Sequence, residues 1–181
     1  MDDFDINMFA DDNFCNYLSL NEFNDSGIGN ANNYSILNIN VRSLKKHFTE
    51  LQTFLHICKC TFSFIVICET WLNDDYDSLF NIDGYLFYSL CRKDNYGGIR
   101  LYYRDNLNVE LLKDFTEING SCEILSARLV LQSENDIDLL CVYRPPSGSM
   151  TDFNIFINNI LAQYLNGDKI IIAGDLNVNF F

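Results

Sequence analysis

The sequence predicts an α/β domain built in layers, and three observations carry that prediction. Short apolar runs at 36–41, 62–68 and 169–173 have the length and composition of strands, and each ends on polar residues. Two stretches between them repeat apolar residues at helical spacing. The folded part opens strand, helix, strand, a β-α-β unit whose strands should be parallel and whose crossover should be right-handed.

Residues 1–34 contain Asp2, Asp3, Asp5, Asp11, Asp12, Glu22 and Asp25 and no Lys or Arg. Phe4, Phe9, Phe14 and Phe23 are scattered without a period, so this acidic, Asn-rich segment is expected to be disordered. The domain is expected over 35–181. Ile36 to Val41 alternates, with Ile36, Asn38 and Asn40 on one face and Leu37, Ile39 and Val41 on the other. Ser43 is a candidate helix N-cap, and Leu44, Phe48, Leu51, Phe54 and Leu55 mark one helical face up to about His56. A second strand, Phe62 to Cys68, runs into Glu69-Thr70-Trp71-Leu72.

The middle of the chain reads as strands. Asp83-Gly84 is a turn before Tyr85 to Leu90, and Gly97-Gly98 leads into Ile99 to Tyr103. Glu123 to Gln132 and Ile137 to Tyr143 form an antiparallel pair, which Pro145-Pro146 stops. Thr151 or Asp152 caps a second helix, whose stripe is Phe153, Phe156, Ile157, Ile160, Leu161, Tyr164 and Leu165. The last strand, from Lys169, reads as buried on both faces and ends in Gly174-Asp175-Leu176-Asn177.

A net charge of −13 opposes a general nucleic-acid-binding surface, which would be basic. The acidity is concentrated in residues 1–34, however, while Arg42, Lys45, Lys46, Arg100, Arg104 and Arg144 lie near the strand ends. Seven cysteines at irregular spacing fit free thiols in an intracellular, reducing compartment. His56-Ile57-Cys58-Lys59-Cys60 lacks the second ligand pair of a structural zinc site. The acidic start is unlike a targeting signal, and Phe62 to Cys68 is too short to cross a bilayer, so no membrane role is expected.

The strand ends carry the chemistry: Asn38 in the first strand, Glu69 after the second, Tyr143 and Arg144 after the antiparallel pair, Asp175 and Asn177 after the last. Singly, each has a plainer reading as a solvated carboxylate, a satisfied amide or a packing phenol. Together they make an oxygen-rich set suited to Mg2+. A second carboxylate can orient and deprotonate a water.

Leu37-Asn38-Ile39-Asn40-x-Arg42-Ser43-Leu44, Cys68-Glu69-Thr70-Trp71-Leu72, Gly97-Gly98-Ile99, Val142-Tyr143-Arg144-Pro145-Pro146-Ser147 and Ala173-Gly174-Asp175-Leu176-Asn177 resemble the endonuclease/exonuclease/phosphatase family. The match is closest to the apurinic-type endonuclease domain of non-LTR (LINE-like) retrotransposons, over about residues 35–179. The resemblance implies the first part of a DNase I-like four-layer α/β/β/α sandwich, incomplete at its C-terminus. It also implies a nuclear, reverse-transcriptase-associated hydrolase that uses Mg2+, with Mn2+ able to substitute, to nick DNA. By position, Glu69 would be the metal ligand and Asn38 would support metal and phosphate. Tyr143 would contact the scissile phosphate, Asp175 would orient or deprotonate the attacking water, and Asn177 would hold both Asp175 and the phosphate. Arg42, Arg100 and Arg144 would bind the DNA backbone.

The sequence also departs from the family pattern. A Ser-Asp-His strand end is expected after Asn177, yet the histidines present are His47 and His56, both in or beside the first helix. Arg100 stands where the family has a small residue. This chain by itself is therefore expected to be inactive, and an uncovered apolar sheet face is expected to favour self-association. The alternatives are a domesticated protein-binding module and an active stand-alone phosphodiesterase or DNA-repair nuclease.

Overall fold

The computed structural model describes residues 18–26, 34–92, 96–132, 135–164 and 169–178. Its elements in chain order are α1 (Leu20–Asp25), β1 (Ile36–Asn40), α2 (Leu44–Ile57), β2 (Phe64–Cys68), β3 (Tyr85–Leu90), β4 (Ile99–Arg104), β5 (Val109–Leu111), β6 (Glu117–Ile118), β7 (Glu123–Leu129), β8 (Ile137–Tyr143), α3 (Met150–Leu161) and β9 (Lys169–Asp175).

The strands form two sheets. One has the order β1-β2-β4-β3 and the other β5-β7-β8-β9, with β6 on the flank of β7. As the β-α-β reading requires, β1 and β2 are parallel, with Asn40 opposite Cys68. The expected antiparallel pair is β7–β8, and its register is pinned by a buried fork from Arg128 to Asp138 at 2.6 and 2.8 Å. A second parallel pair, β8–β9, sets Tyr143 opposite Asp175.

Period-2 alternation makes four layers of these elements. Ile99, Leu101 and Tyr103 of β4 meet Leu125, Ala127, Leu129, Leu139, Cys141 and Tyr143 of the second sheet in the central core. The opposite face of the first sheet (Ile65, Ile67, Tyr102) packs under Leu44 and Leu51 of α2. Phe153 and Ile160 of α3 cover Ile124, Leu140 and Val142 on the outside of the second sheet. Among the described residues the inter-sheet face is therefore covered from within the chain, contrary to the expectation of an uncovered face. Apolar residues are exposed on β9, an edge strand among the described residues, where Ile171 and Ile172 are 37% and 44% exposed. The last strand is thus not buried on both faces.

Two helix starts differ from expectation. Ser43 precedes α2 but has φ +100 and makes no side-chain cap bond, while its backbone N–H donates to the Glu69 carbonyl at 2.8 Å. Ser149, not Thr151 or Asp152, caps α3 by accepting from the Asp152 N–H at 3.2 Å. Within the segment expected to be disordered, α1 is a short helix with a Ser19–Glu22 capping box. It is fixed by Asn24, which bonds Ile57 O and Lys59 N, and by Phe23 against Phe62. Residues 1–17 and 27–33 lie outside the described residues.

Candidate active site

The two parallel pairs build the site. In each, both strands release their C-terminal ends in the same direction, and β1 lies over β9 across the sandwich. The residues after β2 and β9 therefore converge although they belong to different sheets.

Glu69 is nearly buried, and the turn that carries it is held from two sides. Thr70 and Trp71 donate backbone N–H groups to Gly98 O and Gly97 O at 3.2 and 2.9 Å, while Ser43 and Leu44 donate to Glu69 O and Thr70 O at 2.8 Å each. Gly97 and Gly98 have φ +78 and +86, and a Cβ on Gly98 would stand 2.5 Å from Thr70 Oγ1. Only glycine fits there. The same turn covers Glu123, which is fully buried, accepts from Gly98 N at 2.7 Å and pairs with Arg92 at 3.2 Å.

Asn40 joins the two carboxylates. Its Nδ2 donates to Glu69 Oε1 and to Asp175 Oδ2, each at 2.7 Å, and its Oδ1 accepts from Arg42 N at 3.2 Å. Sequence reasoning named Asn38 as the support of metal and phosphate and did not name Asn40. Asn38 instead donates to Gly174 O at 2.8 Å, a tie between β1 and β9. The i, i+2 spacing puts both asparagines on one face of β1 and does not tell them apart. Tyr143 lies near enough to Glu69 to feel its charge, and its hydroxyl is held protonated well above the usual range, chiefly by burial and next by that charge. The Cys68 thiol is pushed up to about 12, chiefly by burial, with the charges of Asp175, Glu123 and Glu69 adding to it.

Asn177 and Arg144 form a reciprocal clamp. Asn177 Nδ2 donates to Arg144 O at 2.7 Å, and Arg144 donates through Nε to Leu176 O and through Nη1 to Gly148 O, at 2.7 Å each, and through Nη2 to Asn177 O. Asn177 N also donates to Asp175 Oδ1 at 3.1 Å.

The arginines expected on DNA divide accordingly. Arg144 is buried and committed to backbone carbonyls, so it does not present its charge to a phosphate. Arg100 is fully buried on the outer face of β4, bonded to Ser89 Oγ, Phe80 O and Tyr102 OH and stacked 4.3 Å from the Phe87 ring centroid. Alternation with inward-facing Ile99 and Leu101 puts it there. Arg42 alone of the three is exposed. It lines an open cleft of about 390 Å³ between β1 and α2 together with His47, whose Nδ1 lies 3.7 Å from Glu50 Oε1. That cleft lies beside the carboxylates and holds neither of them.

Positive φ among the described non-glycine residues occurs at Arg42, Ser43, Glu69, Trp71 and Asn177. All five flank the converging strand ends, where strain of this kind accompanies a functional arrangement. The ligand atoms that meet here are the carboxylate oxygens of Glu69 and Asp175, and carboxylate charge reaches both Tyr143 and Cys68. Both observations fit a hard divalent cation at Glu69 and Asp175.

No family model and no curated protein matches the chain. Among solved structures, the endonuclease domain of TRAS1, a telomere-specific non-LTR retrotransposon, aligns with TM-score 0.60 at 17% identity over 81% of this chain and 62% of its own. The fold is that of the endonuclease/exonuclease/phosphatase proteins. The Xenopus laevis APE2 catalytic domain shares this DNase I-like sandwich with TM-score 0.53 at 15% identity, over 79% of this chain and 58% of its own. D. rerio TDP2, solved with a single-strand DNA product, does so with TM-score 0.56 at 18% identity, over 81% and 61%. The chain thus spans about three-fifths of the length of these neighbours. Among the described residues no helix is long and apolar enough to cross a membrane.

Proposed function

We propose that this chain carries the first part of a Mg2+-dependent DNA endonuclease of the retrotransposon type, which acts in the nucleus. The observation that supports it best is the meeting of Glu69 and Asp175 from two sheets around one amide, with a protonated Tyr143 beside them. Glu69 would hold the cation, with the Asp175 carboxylate on the other side of the shared amide. Mg2+ bound there, or Mn2+ in its place, supplies Lewis-acid polarisation of a phosphoryl oxygen. Asp175, oriented by Asn177 N and Asn40, positions an attacking water and takes its proton. Tyr143, kept neutral, donates a hydrogen bond to a phosphate oxygen. Asn38 and Asn177 act through the backbone ties that fix β9 and its turn, and Arg42 is the exposed cation available to a DNA phosphate.

Neither histidine reaches these groups, since both lie in α2. A phosphoryl-transfer site that no histidine among the described residues reaches lacks a stabiliser worth about 10²–10³-fold, so these residues by themselves nick DNA near background. The test pairs Mn2+ binding with nicking of supercoiled plasmid, in the wild type and Glu69→Gln. The expected result is Mn2+ binding that Glu69→Gln removes, with nicking near background in both. Mn2+ binding indifferent to Glu69 would refute the assignment of the site. Robust nicking abolished by Glu69→Gln would refute the inactivity.

A further inference from the structure

The Asn40 amide does more than fill the space between two carboxylates. Both hydrogens of Nδ2 are committed, one to each acid at 2.7 Å, and Oδ1 is held by Arg42 N at 3.2 Å. A neutral donor therefore occupies the place where two negative groups from different sheets come together. Asn40 is half-buried, and its partners include the nearly buried Glu69. An unpaired carboxylate in that setting loses solvation, so the shared amide is what permits the two acids to stand together.

We propose that Asn40 is a positioning residue that staples Glu69 to Asp175, and that a divalent cation competes with its amide for the same two carboxylates. The proposal rests on the nuclease reading of this site. Its consequence is a site assembled before any cation arrives and bound only moderately by one, because the amide must first give up its bonds. An aspartate at this position would remove the donor and add an oxygen ligand. Metal affinity follows ligand charge.

The test uses the full chain and Mn2+ alone, read by electron paramagnetic resonance, with melting curves in chelator and at saturating Mn2+. Asn40→Asp is expected to tighten Mn2+ binding about 10–100-fold. Asn40→Ala is expected to melt below wild type in chelator, with the difference shrinking at saturating Mn2+ because the ion then bridges the acids. A residue that merely supports the fold would leave that difference unchanged. Wild-type affinity in Asn40→Asp, together with an Ala deficit that Mn2+ does not alter, overturns the staple. Mn2+ binding lost in Glu69→Gln would still uphold the nuclease reading in that case. If no variant binds Mn2+, the competition and the nuclease reading both fall. The Asn40 side-chain amide signal in NMR then judges the bridge alone: slow hydrogen exchange keeps it, and free exchange removes it.

Discussion

Replacing Arg144 with alanine separates the two roles an arginine at this position can have. As a phosphate ligand it would be dispensable for folding. As the clamp described above, it supplies donors to the carbonyls of Leu176, Gly148 and Asn177, and its own carbonyl receives Asn177 Nδ2. A hydrogen bond from a charged donor is worth about 1.5–3 kcal/mol net. Asn177 is exposed, so its carbonyl can rehydrate when the guanidinium goes. Counting about half of the remaining two gives a destabilisation of about 1.5–3 kcal/mol, or a fall in Tm of about 3–12 °C for a domain of this size. Lysine should restore little of this, because an ammonium cannot send parallel donors to carbonyls on both sides. The assay is urea denaturation of wild type, Arg144→Ala and Arg144→Lys, beside the salt dependence of DNA binding. One phosphate contact contributes about 0.9 to the slope of log affinity against log salt. Wild-type stability in Arg144→Ala, with a slope reduced by about that amount, would refute the clamp.

Other outcomes follow from the same geometry. Arg100→Ala should destabilise by about 3 kcal/mol or more, since Phe80 O and Tyr102 OH lose a buried donor, while the DNA-binding salt slope stays unchanged; denaturation and a salt titration read the two effects. Gly174→Ala should prevent folding, because its Cβ would stand 1.8 Å from Val142 O in the β8–β9 ladder; a folded protein by circular dichroism would contradict this. Cys68 has its pKa raised from 9.0 to about 12 by burial. The folded state holds this proton more tightly, so its contribution is fully present below pH 9 and is lost as pH rises through 12. Cys68→Ala should therefore flatten the alkaline fall in stability, by up to about 1.4 kcal/mol per pH unit, in denaturation curves between those limits. An unchanged slope would show that the thiol is not held protonated.

Much of the fold was legible because single elements carried their own pattern. The helical stripe of Leu44, Phe48, Leu51 and Phe54, the apolar run ending at Cys68 and the proline stop after Tyr143 each act over a few residues. What was not legible depends on partners distant in sequence. Nothing local distinguishes Asn38 from Asn40; β9, arriving more than a hundred residues later, decides which one meets Asp175 and which meets Gly174 O. Arginine is read as a surface residue by default. Arg100 became internal because the Phe80 carbonyl and the Phe87 ring make a polar, aromatic socket over the outer face of β4. The exposure of β9 was hidden for the reverse reason, since its apolar run is the same whether one edge or both are paired.

The separation of the two carboxylates is set by the thickness of the sandwich, not by either sheet alone. Glu69 follows a strand of one sheet and Asp175 ends a strand of the other, and the core between them is Cys68, Ile99, Leu101, Leu125, Cys141 and Tyr143. Interiors pack like crystals, so a change of volume there displaces the sheets before it leaves a void. Asn38 and Asn40 tie β1 to β9 across the same gap, Asn40 at the carboxylates themselves, and resist that displacement. A substitution such as Leu125→Ala should therefore act on the site as well as on stability. At a seam, a shift of 1 Å in one sheet alters the distance between the acids directly, and reacting groups tolerate little of that. This explains why the polar groups are placed where two parallel pairs cross. The amide crosslinks there let a rigid core dictate the carboxylate spacing, which flexible side chains on a single edge could not fix.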